Sequence, residues 1–554
     1  MTTGANLLCD YLQQAGVEVI FGYPGGAVLP IYDALFDHAI THIVTRHEQG
    51  AIHAAQGYAR RTGRPGVVLA TSGPGASNLL TGIADAYIDS TPVIIITGQV
   101  EQAKIGTDAF QEVDTYGITV AMTKHNYQVR NVSKLPEILA QAFYIATTGR
   151  QGPVLIDIPK DVASAVLEPI EIKQLPIHLP GYQLPHRPAD EQIDQIIALL
   201  SSAKRPVIIA GGGVISANAS AWLREWVGRS GIPVVSTLMG IGAVAEDEPF
   251  YLGMVGMHGT FVANKAIAQA DVVLAIGMRF SDRVTGRPGS FAPHAIKIQI
   301  DVDESEVGKN IPVDLAVITD ARYALEALVA KNITLDLTAW HEQIRDWQAH
   351  WSMQSLPEHL HPVDVIQLLG ELTKATNPVI VTDVGQHQIF AARFFPHQSP
   401  RHFITSGGLG TMGFGLPAAI GAKMAEPNSL VILITGDGSF QMNLREMQTL
   451  IENQISVKIV VMNNGYLGMV RQWQDIFLEK RYAESKISSP DFVRLAQAYG
   501  LLGLRATNIT DAHSIIEQAI AYDGSVVMEF MVQEEANVYP MIPAGESYDA
   551  MIVK

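Results

Sequence analysis

Leu430-Val-Ile-Leu-Ile-Thr435-Gly436-Asp437-Gly438-Ser439 is an apolar run that stops at a glycine, an acid and a second glycine. A continuous β-branched run closed in this way predicts a strand buried on both faces, its carboxyl end opening onto a helix. The next apolar run, Ile459-Val460-Val461, ends likewise on Asn463-Asn464-Gly465-Tyr466. Glycines at a strand end let backbone N–H groups approach a phosphate, while an Asp and an Asn side chain supply hard oxygen ligands for Mg²⁺. Gly-Asp-Gly and Asn-Asn are also ordinary turn sequences. Two matched strand ends favour a diphosphate clamp.

The same pattern continues in both directions. Runs at Val67 to Leu69, Val93 to Ile96, Val154 to Ile156, Val207 to Ile209, Val272 to Leu274 and Val379 to Val381 alternate with amphipathic helical stretches, as in parallel sheets flanked by helices. They form three groups. Two irregular stretches separate the groups and read as linkers: Glu168 to Arg187, with Pro169, Pro176, Pro180 and Pro185, and Trp340 to Pro362. The expected fold class is α/β, with three doubly wound parallel-sheet domains at 1–167, 188–335 and 363–554.

With 554 residues, 47% of them hydrophobic, the chain can fill three such cores. Lys and Arg total 38 against 55 Asp and Glu, a net charge of −17, which opposes binding to nucleic acid or anionic membranes. No apolar run approaches the roughly 20 residues of a membrane span. The start, Met1-Thr-Thr-Gly, lacks a signal peptide's basic and apolar regions, so a soluble cytoplasmic protein is expected. Cys9 is the single cysteine; an intrachain disulfide and a thiolate metal cluster are excluded.

The two strand ends resemble the thiamine-diphosphate signature, in which Asp437, Asn464 and the backbone carbonyl near Tyr466 would hold the metal, with Gly436, Gly438, Ser439, Gly468 and Met469 against the cofactor. That cofactor needs a carboxylate from another domain, because a Glu on its aminopyrimidine ring favours the imino tautomer that removes the reactive carbon's proton. Glu48 suits this role: it follows a short strand and opens the helical stretch Gly50 to Arg61. An acid in a helix's first turn is also a common structural device. Gly25 and Gly26, in Gly22-Tyr-Pro-Gly25-Gly26-Ala27, and Pro74, in Thr71-Ser-Gly73-Pro74-Gly75, sit where backbone could approach a ligand. Within the glycine-dense Ser406-Gly-Gly-Leu-Gly410-Thr-Met412, Gly410 is a candidate cofactor contact and Met412 the candidate apolar prop beneath the bent cofactor. Gln386 and His387 follow another strand and could reach the diphosphate, although a surface histidine would read alike. In the middle domain Gly211-Gly212-Gly213 loosely approaches a dinucleotide fingerprint, but no acid ends the following strand Ile232 to Ser236. A nicotinamide dehydrogenase is therefore disfavoured.

With these residues in view, the whole chain resembles the catalytic large subunits of acetohydroxyacid (acetolactate) synthases, in the pyruvate-oxidase-like group of thiamine-diphosphate enzymes. Matching stretches include Arg46-His-Glu48-Gln-Gly, Gly106-Thr-Asp-Ala-Phe110-Gln111-Glu, Leu155-Ile-Asp-Ile-Pro-Lys160-Asp, Gly253-Met-Val-Gly-Met257-His258-Gly, Arg279-Phe-Ser-Asp-Arg283 and Gly468-Met-Val-Arg-Gln-Trp473. The resemblance implies a thiamine-diphosphate-binding fold with a Rossmann-like central domain, and a transferase in branched-chain amino-acid synthesis. Pyruvate would be decarboxylated and its two-carbon unit joined to a second 2-keto acid, pyruvate giving 2-acetolactate and 2-oxobutyrate giving 2-aceto-2-hydroxybutyrate. It implies catalytic roles for Glu48, Gln111, Lys160 and Arg283, and a substrate channel formed by Gly26, Ala27, Phe110, Gln111 and Lys160 of one subunit with Met257, Arg283 and Trp473 of another. A homodimer or homotetramer with its site at the subunit interface follows, together with a possible small regulatory subunit. It further implies FAD, without net redox chemistry, on Gly211 to Gly213, His258, Arg279 and Asp301; this chain has Ser281-Asp282 where the family usually has two acids. The alternatives are a catabolic enzyme of acetoin formation or a pyruvate-oxidase-like enzyme.

Overall fold

The computed structural model describes every residue except 169–176, 178, 332, 351–359 and 554. Its three large sheets each hold six strands, all paired in parallel. Successive residues of a strand enter opposite cores: Val67 and Leu69 face one, Val68 and Ala70 the other. Both faces are covered, and for that reason the strands read as unbroken apolar runs.

Counted in chain order, the N-terminal strands are Val19–Tyr23, Thr41–Val44, Gly66–Ala70, Val93–Gln99, His125–Gln128 and Val154–Pro159. They lie side by side as 2-1-3-4-6-5. The C-terminal strands, Val379–Thr382, Phe403–Ile404, Val431–Gly436, Lys458–Asn463, Leu502–Ala506 and Val526–Met531, repeat that order. The central strands, Pro206–Ala210, Val234–Ser236, Tyr251–Met254, Val272–Ile276, Ile296–Asp301 and Leu315–Ile318, lie as 3-2-1-4-5-6, the doubly wound dinucleotide order. The outer domains are thus topological duplicates without any visible sequence repeat. In each sheet the order turns around beside the first strand, and ligands bind outside the carboxyl ends at such a point. Gly25 and Pro74 flank it in the first sheet, Gly211 and Gly277 in the second, Gln386 and Asp437 in the third.

The outer domains meet through equivalent helices. Glu48–Thr62 follows the second strand of the N-terminal sheet and Gly415–Ala425 that of the C-terminal sheet, and residues of both sheets fill one shared core. The helices touch backbone to backbone. A Cβ on Gly57 would stand 2.0 Å from the carbonyl oxygen of Ala418, and one on Gly421 1.8 Å from that of Ala54. Gly421→Val is therefore expected to destabilise the protein by on the order of 3 kcal/mol, read as an earlier transition in urea. Gly228→Ala, in the helix Ser220–Ser230 with open space around it, should leave that transition in place or move it slightly later.

The expectation of a linker beginning at Trp340 is overturned. Thr338–His350 is a helix whose Trp340 and Ile344 are buried in the central core, the indole N–H donating to the carbonyl of Pro206 at 3.3 Å. A tryptophan and an isoleucine four residues apart lie on one helix face, a signal masked by the polar residues between them. The remainder of that stretch, 351–359, and Pro169 to Pro176 of the first linker lie outside the described residues. The C-terminal end also crosses domains. Ile542 and Tyr548 join the central core, and Met541 pairs with Ile552.

Candidate active site

A cavity of about 1350 Å³ opens between the central and C-terminal sheets. Gln386, His387, Gly410, Met412, Gly436, Asp437, Gly438, Ser439, Asn464, Tyr466, Gly468, Met469 and Trp473 line it from the C-terminal domain. Met257, His258, Arg279, Arg283, Asp301, Gly212 and Gly213 line it from the central one. Residues far apart in sequence thus converge as expected. Gly211 lies behind the lining; a Cβ there would stand 2.1 Å from the carbonyl oxygen of Gly277.

Asp437 opens the helix Asp437–Asn443 at the end of its strand and is buried. Burial pushes its carboxyl up to about 6, against hydrogen bonds led by that from Ser489 Oγ at 3.0 Å. Asn464 turns its amide oxygen onto the N–H of Tyr466 at 3.1 Å, fixing the loop that carries that residue's carbonyl. Among the described residues no three His, Cys, Asp or Glu side chains converge on one point. A cation here must draw on amide and carbonyl oxygens and on its ligand's own phosphates, the mixed set that Mg²⁺ accepts.

His387 is buried, not on the surface. Desolvation pushes it down to about 3, so the ring is neutral, and its Nε2 has no partner. The ring packs so closely on Gly436 that a Cβ there would stand 2.9 Å from it. Gln386 donates to Gln472 Oε1 at 2.9 Å and so ties its loop to the helix Gly468–Phe477, which carries Trp473. The Met412 methyl lies 3.8 Å from a Cβ position on Gly438, and both residues line the cavity.

On the central side, Met257 N–H donates to the Arg283 carbonyl at 2.8 Å, and Ile542 N–H donates to the Met257 carbonyl at 2.8 Å. Gln472 exchanges hydrogen bonds with both backbone groups of Val538 at 2.8 and 3.1 Å. The C-terminal segment therefore joins the Trp473 helix to the turn of Met257 and the short helix Asp282–Thr285 that carries Arg283. Arg283 itself is largely exposed and only 3.6 Å from the exposed Asp282 carboxylate, a weak surface pairing that leaves its guanidinium available. Buried His258 Nδ1 and Gln299 Oε1 have no partners. Burial pushes Asp301 up to about 6 and His258 down to about 3. Unpaired buried polar atoms of this kind call for a ligand or water.

Among the described residues, none of Glu48, Gly25, Gly26, Ala27, Pro74, Phe110, Gln111 and Lys160 lines that cavity. They gather at the carboxyl ends of the N-terminal strands instead. Glu48 is the first residue of Glu48–Thr62, capped by His47 Nδ1 on the Gln49 N–H at 3.1 Å, and its Oε2 accepts from Asn78 Nδ2 at 2.9 Å. Glu446 of the C-terminal domain takes the Arg46 N–H at 3.1 Å and holds the preceding turn. Thr71 Oγ1 accepts the Ala27 N–H at 3.3 Å, Gly73 lies against the backbone of Gln111, and Lys160 follows the strand Val154–Pro159. Phe110 is 88% exposed and Gln111 adopts φ +59°.

Sequence reasoning passed over Asn78, Ser489, Gln472 and Asp383 as functional residues. Asp383 is buried, pushed up to about 6 by desolvation, and accepts the N–H groups of Val384, Gly413 and Gly415. An acid directly after a buried strand was its only signal.

The fold and these sites define a thiamine pyrophosphate enzyme: the N-terminal TPP-binding, central and C-terminal TPP-binding domain models of that class match residues 2–118, 193–328 and 383–530. The acetolactate synthase large subunit of Lactococcus lactis is 45% identical over 559 residues, covering 100% of this chain and 96% of that protein. Acetolactate synthase isozyme 2 large subunit of Escherichia coli is 45% identical over 563 residues, with 100% and 99% covered. The probable acetolactate synthase large subunit of Methanocaldococcus jannaschii is 46% identical over 556 residues, with 98% and 94% covered. The chain belongs to the family of acetolactate synthase large subunits.

Proposed function

We propose that this chain decarboxylates pyruvate and joins the two-carbon unit to a second 2-keto acid, pyruvate giving 2-acetolactate and 2-oxobutyrate giving 2-aceto-2-hydroxybutyrate, at a site completed by a second copy of the chain. One observation carries the two-chain reading. The Glu48 surface and the Asp437 cavity each end without the other's residues, although one reaction needs both. In a symmetric dimer each chain would offer Glu48, Ala27, Phe110, Gln111 and Lys160 to its partner's cavity.

Thiamine diphosphate, when bound, supplies an acidic ring carbon and an electron sink for the carboxylate's departure. Asp437, Asn464 and the Tyr466 carbonyl would hold Mg²⁺ and through it the diphosphate, with His387 neutral beside Gly436. Glu48 would hold or pass a proton at its Oε1, while Asn78 holds its Oε2. Arg283 would take the acceptor's carboxylate bidentately, and Trp473 would form an apolar wall that senses one methylene, worth about 1–3 kcal/mol. The central cleft of Gly212, His258, Arg279 and Asp301 fits FAD, since the unpaired Nδ1 of His258 in its lining offers a polar ligand a partner. The functional units are 1–167, 188–335 with the helix Thr338–His350 added, and 363–554. A regulatory small subunit is proposed from the large-subunit relatives, and a cytoplasmic location from the −17 charge and the want, among the described residues, of a membrane-spanning helix.

The test is the product formed from pyruvate with thiamine diphosphate and Mg²⁺. Acetolactate at about half the pyruvate consumed is expected, because two donors make one product. Acetaldehyde, or acetate with matching oxygen uptake, would replace this chemistry with that of a decarboxylase or an oxidase.

A further inference from the structure

The loop Ser406 to Met412 is held from two sides. Asp383 of its own domain takes the N–H groups of Gly413 and Gly415 at its far end. At its near end the partners come from the N-terminal domain. Asp89 accepts the Gly407 N–H through Oδ2 at 2.8 Å and the Gly408 N–H through Oδ1 at 2.7 Å. Asp85 Oδ1 accepts from Ser406 Oγ and, at 2.8 Å, from Thr411 Oγ1. Arg60 donates to Asp89 Oδ2 at 2.8 Å and to the Thr405 carbonyl, and stands 3.9 Å from Asp85 Oδ2. Both carboxylate side chains are fully buried.

This grouping is costly. Two acids and one arginine leave an excess of negative charge in the interior, and both acids sit at the carboxyl end of the helix Leu80–Ile88, where the helix dipole disfavours them. Burial and then the Asp89 charge push Asp85 up to about 6. Cohesion between the domains needs no such device, since the adjoining seam of Ala54, Gly57, Ala418 and Gly421 is apolar and tightly packed. What the charges obtain is direction: charge-assisted hydrogen bonds aimed at two consecutive backbone N–H groups and two hydroxyls of one loop. The Gly407-Gly408 pair is part of the same fit, for a Cβ on Gly408 would stand 2.8 Å from Asp89 Oδ1 and 3.0 Å from the Ile88 side chain.

We propose that Asp85 and Asp89, braced by Arg60, are positioning residues that set the Ser406 to Met412 loop, so that the N-terminal domain orients the cofactor-contacting loop of its own chain. The functional half rests on the reading of Gly410 and Met412 as cofactor contacts. Because Glu48 leads into the helix carrying Arg60, and Asn78 precedes the helix carrying Asp85, one N-terminal domain would act on two sites: by Glu48 on its partner's and by these acids on its own chain's.

The full-length protein without cofactor is examined by amide hydrogen exchange, and thiamine diphosphate affinity is then measured with Mg²⁺ present. Asp89→Ala is expected to speed exchange across 405–412 by about tenfold or more and to weaken thiamine diphosphate binding by about tenfold. Exchange across the seam helix Gly415–Ala425 should stay unchanged. Asp89→Asn, which keeps one acceptor oxygen, should fall between. Unchanged exchange across 405–412, or equal acceleration across the seam helix, overturns the tether. Faster loop exchange with unaltered affinity overturns the assignment of the loop to the cofactor, and with it the tether's part in the reaction.

Discussion

Glu48→Gln is expected to lower kcat by about 10³-fold, the scale on which a positioned general acid–base group contributes, while the Kd values for Mg²⁺ and thiamine diphosphate stay within about twofold. The substitution isolates the proton chemistry because the structure accommodates the amide. Glu48 is buried at a helix start, its Oε2 accepts from Asn78, and Oε1 lies 3.4 Å from a Cβ position on Gly75, so the isosteric Gln keeps an acceptor in place and adds no volume. The capping His47 and the Glu446 clasp on Arg46 do not involve the side chain at 48. Single-turnover measurements at saturating cofactor check this. Turnover within about threefold of the parent would remove Glu48 from the chemistry.

Asp437→Ala is expected to abolish activity at ordinary Mg²⁺ concentrations and to weaken Mg²⁺-dependent thiamine diphosphate binding by at least about 10²-fold, since removing a charged ligand forfeits about 3 kcal/mol or more. The fold should survive. At neutral pH the carboxylate is ionised above a pKa raised to about 6, and burial opposes its charge in the protein; removing it leaves Ser489 Oγ short of one acceptor. Titration calorimetry and a melting curve taken without cofactor separate the two effects. A melting point many degrees lower would assign Asp437 a structural role.

The two variants together examine the composite site. Mixed and reassembled in equal amounts, Glu48→Gln and Asp437→Ala subunits are expected to regain about a quarter of the parental activity. Half of the dimers would be mixed, and each would hold one intact site of two. A site formed within one chain would recover nothing, because every chain then carries one defect.

Legibility followed the range of the interactions concerned. The strand ends at Gly436, Asn464 and Gly211 were legible because a buried parallel strand must be apolar throughout and its ligand-binding end must break in glycine or a short polar residue. Glu48 was legible only through the chemistry that a cofactor demands of a distant carboxylate. Thr338–His350 was misread because two core residues on one helix face are diluted by charged neighbours. In Ser406 to Met412 only Gly410 and Met412 stood out in the sequence, whereas Gly407 and Gly408 make way for Ile88 and Asp89 of another domain.

The sequence by itself determined the alternation of buried strands and helices, the three-domain α/β class and the pair of glycine- and asparagine-marked strand ends proposed to hold the metal, since each depends on residues near one another along the chain. Only the tertiary structure decided that the outer domains are topological duplicates packed helix to helix, that the C-terminal segment crosses to Met257, and that Glu48 is not in the lining of its own chain's cavity. Strand order arises from pairing between segments tens of residues apart and domain contact from packing between segments hundreds apart, and no local pattern encodes which of many apolar faces will meet.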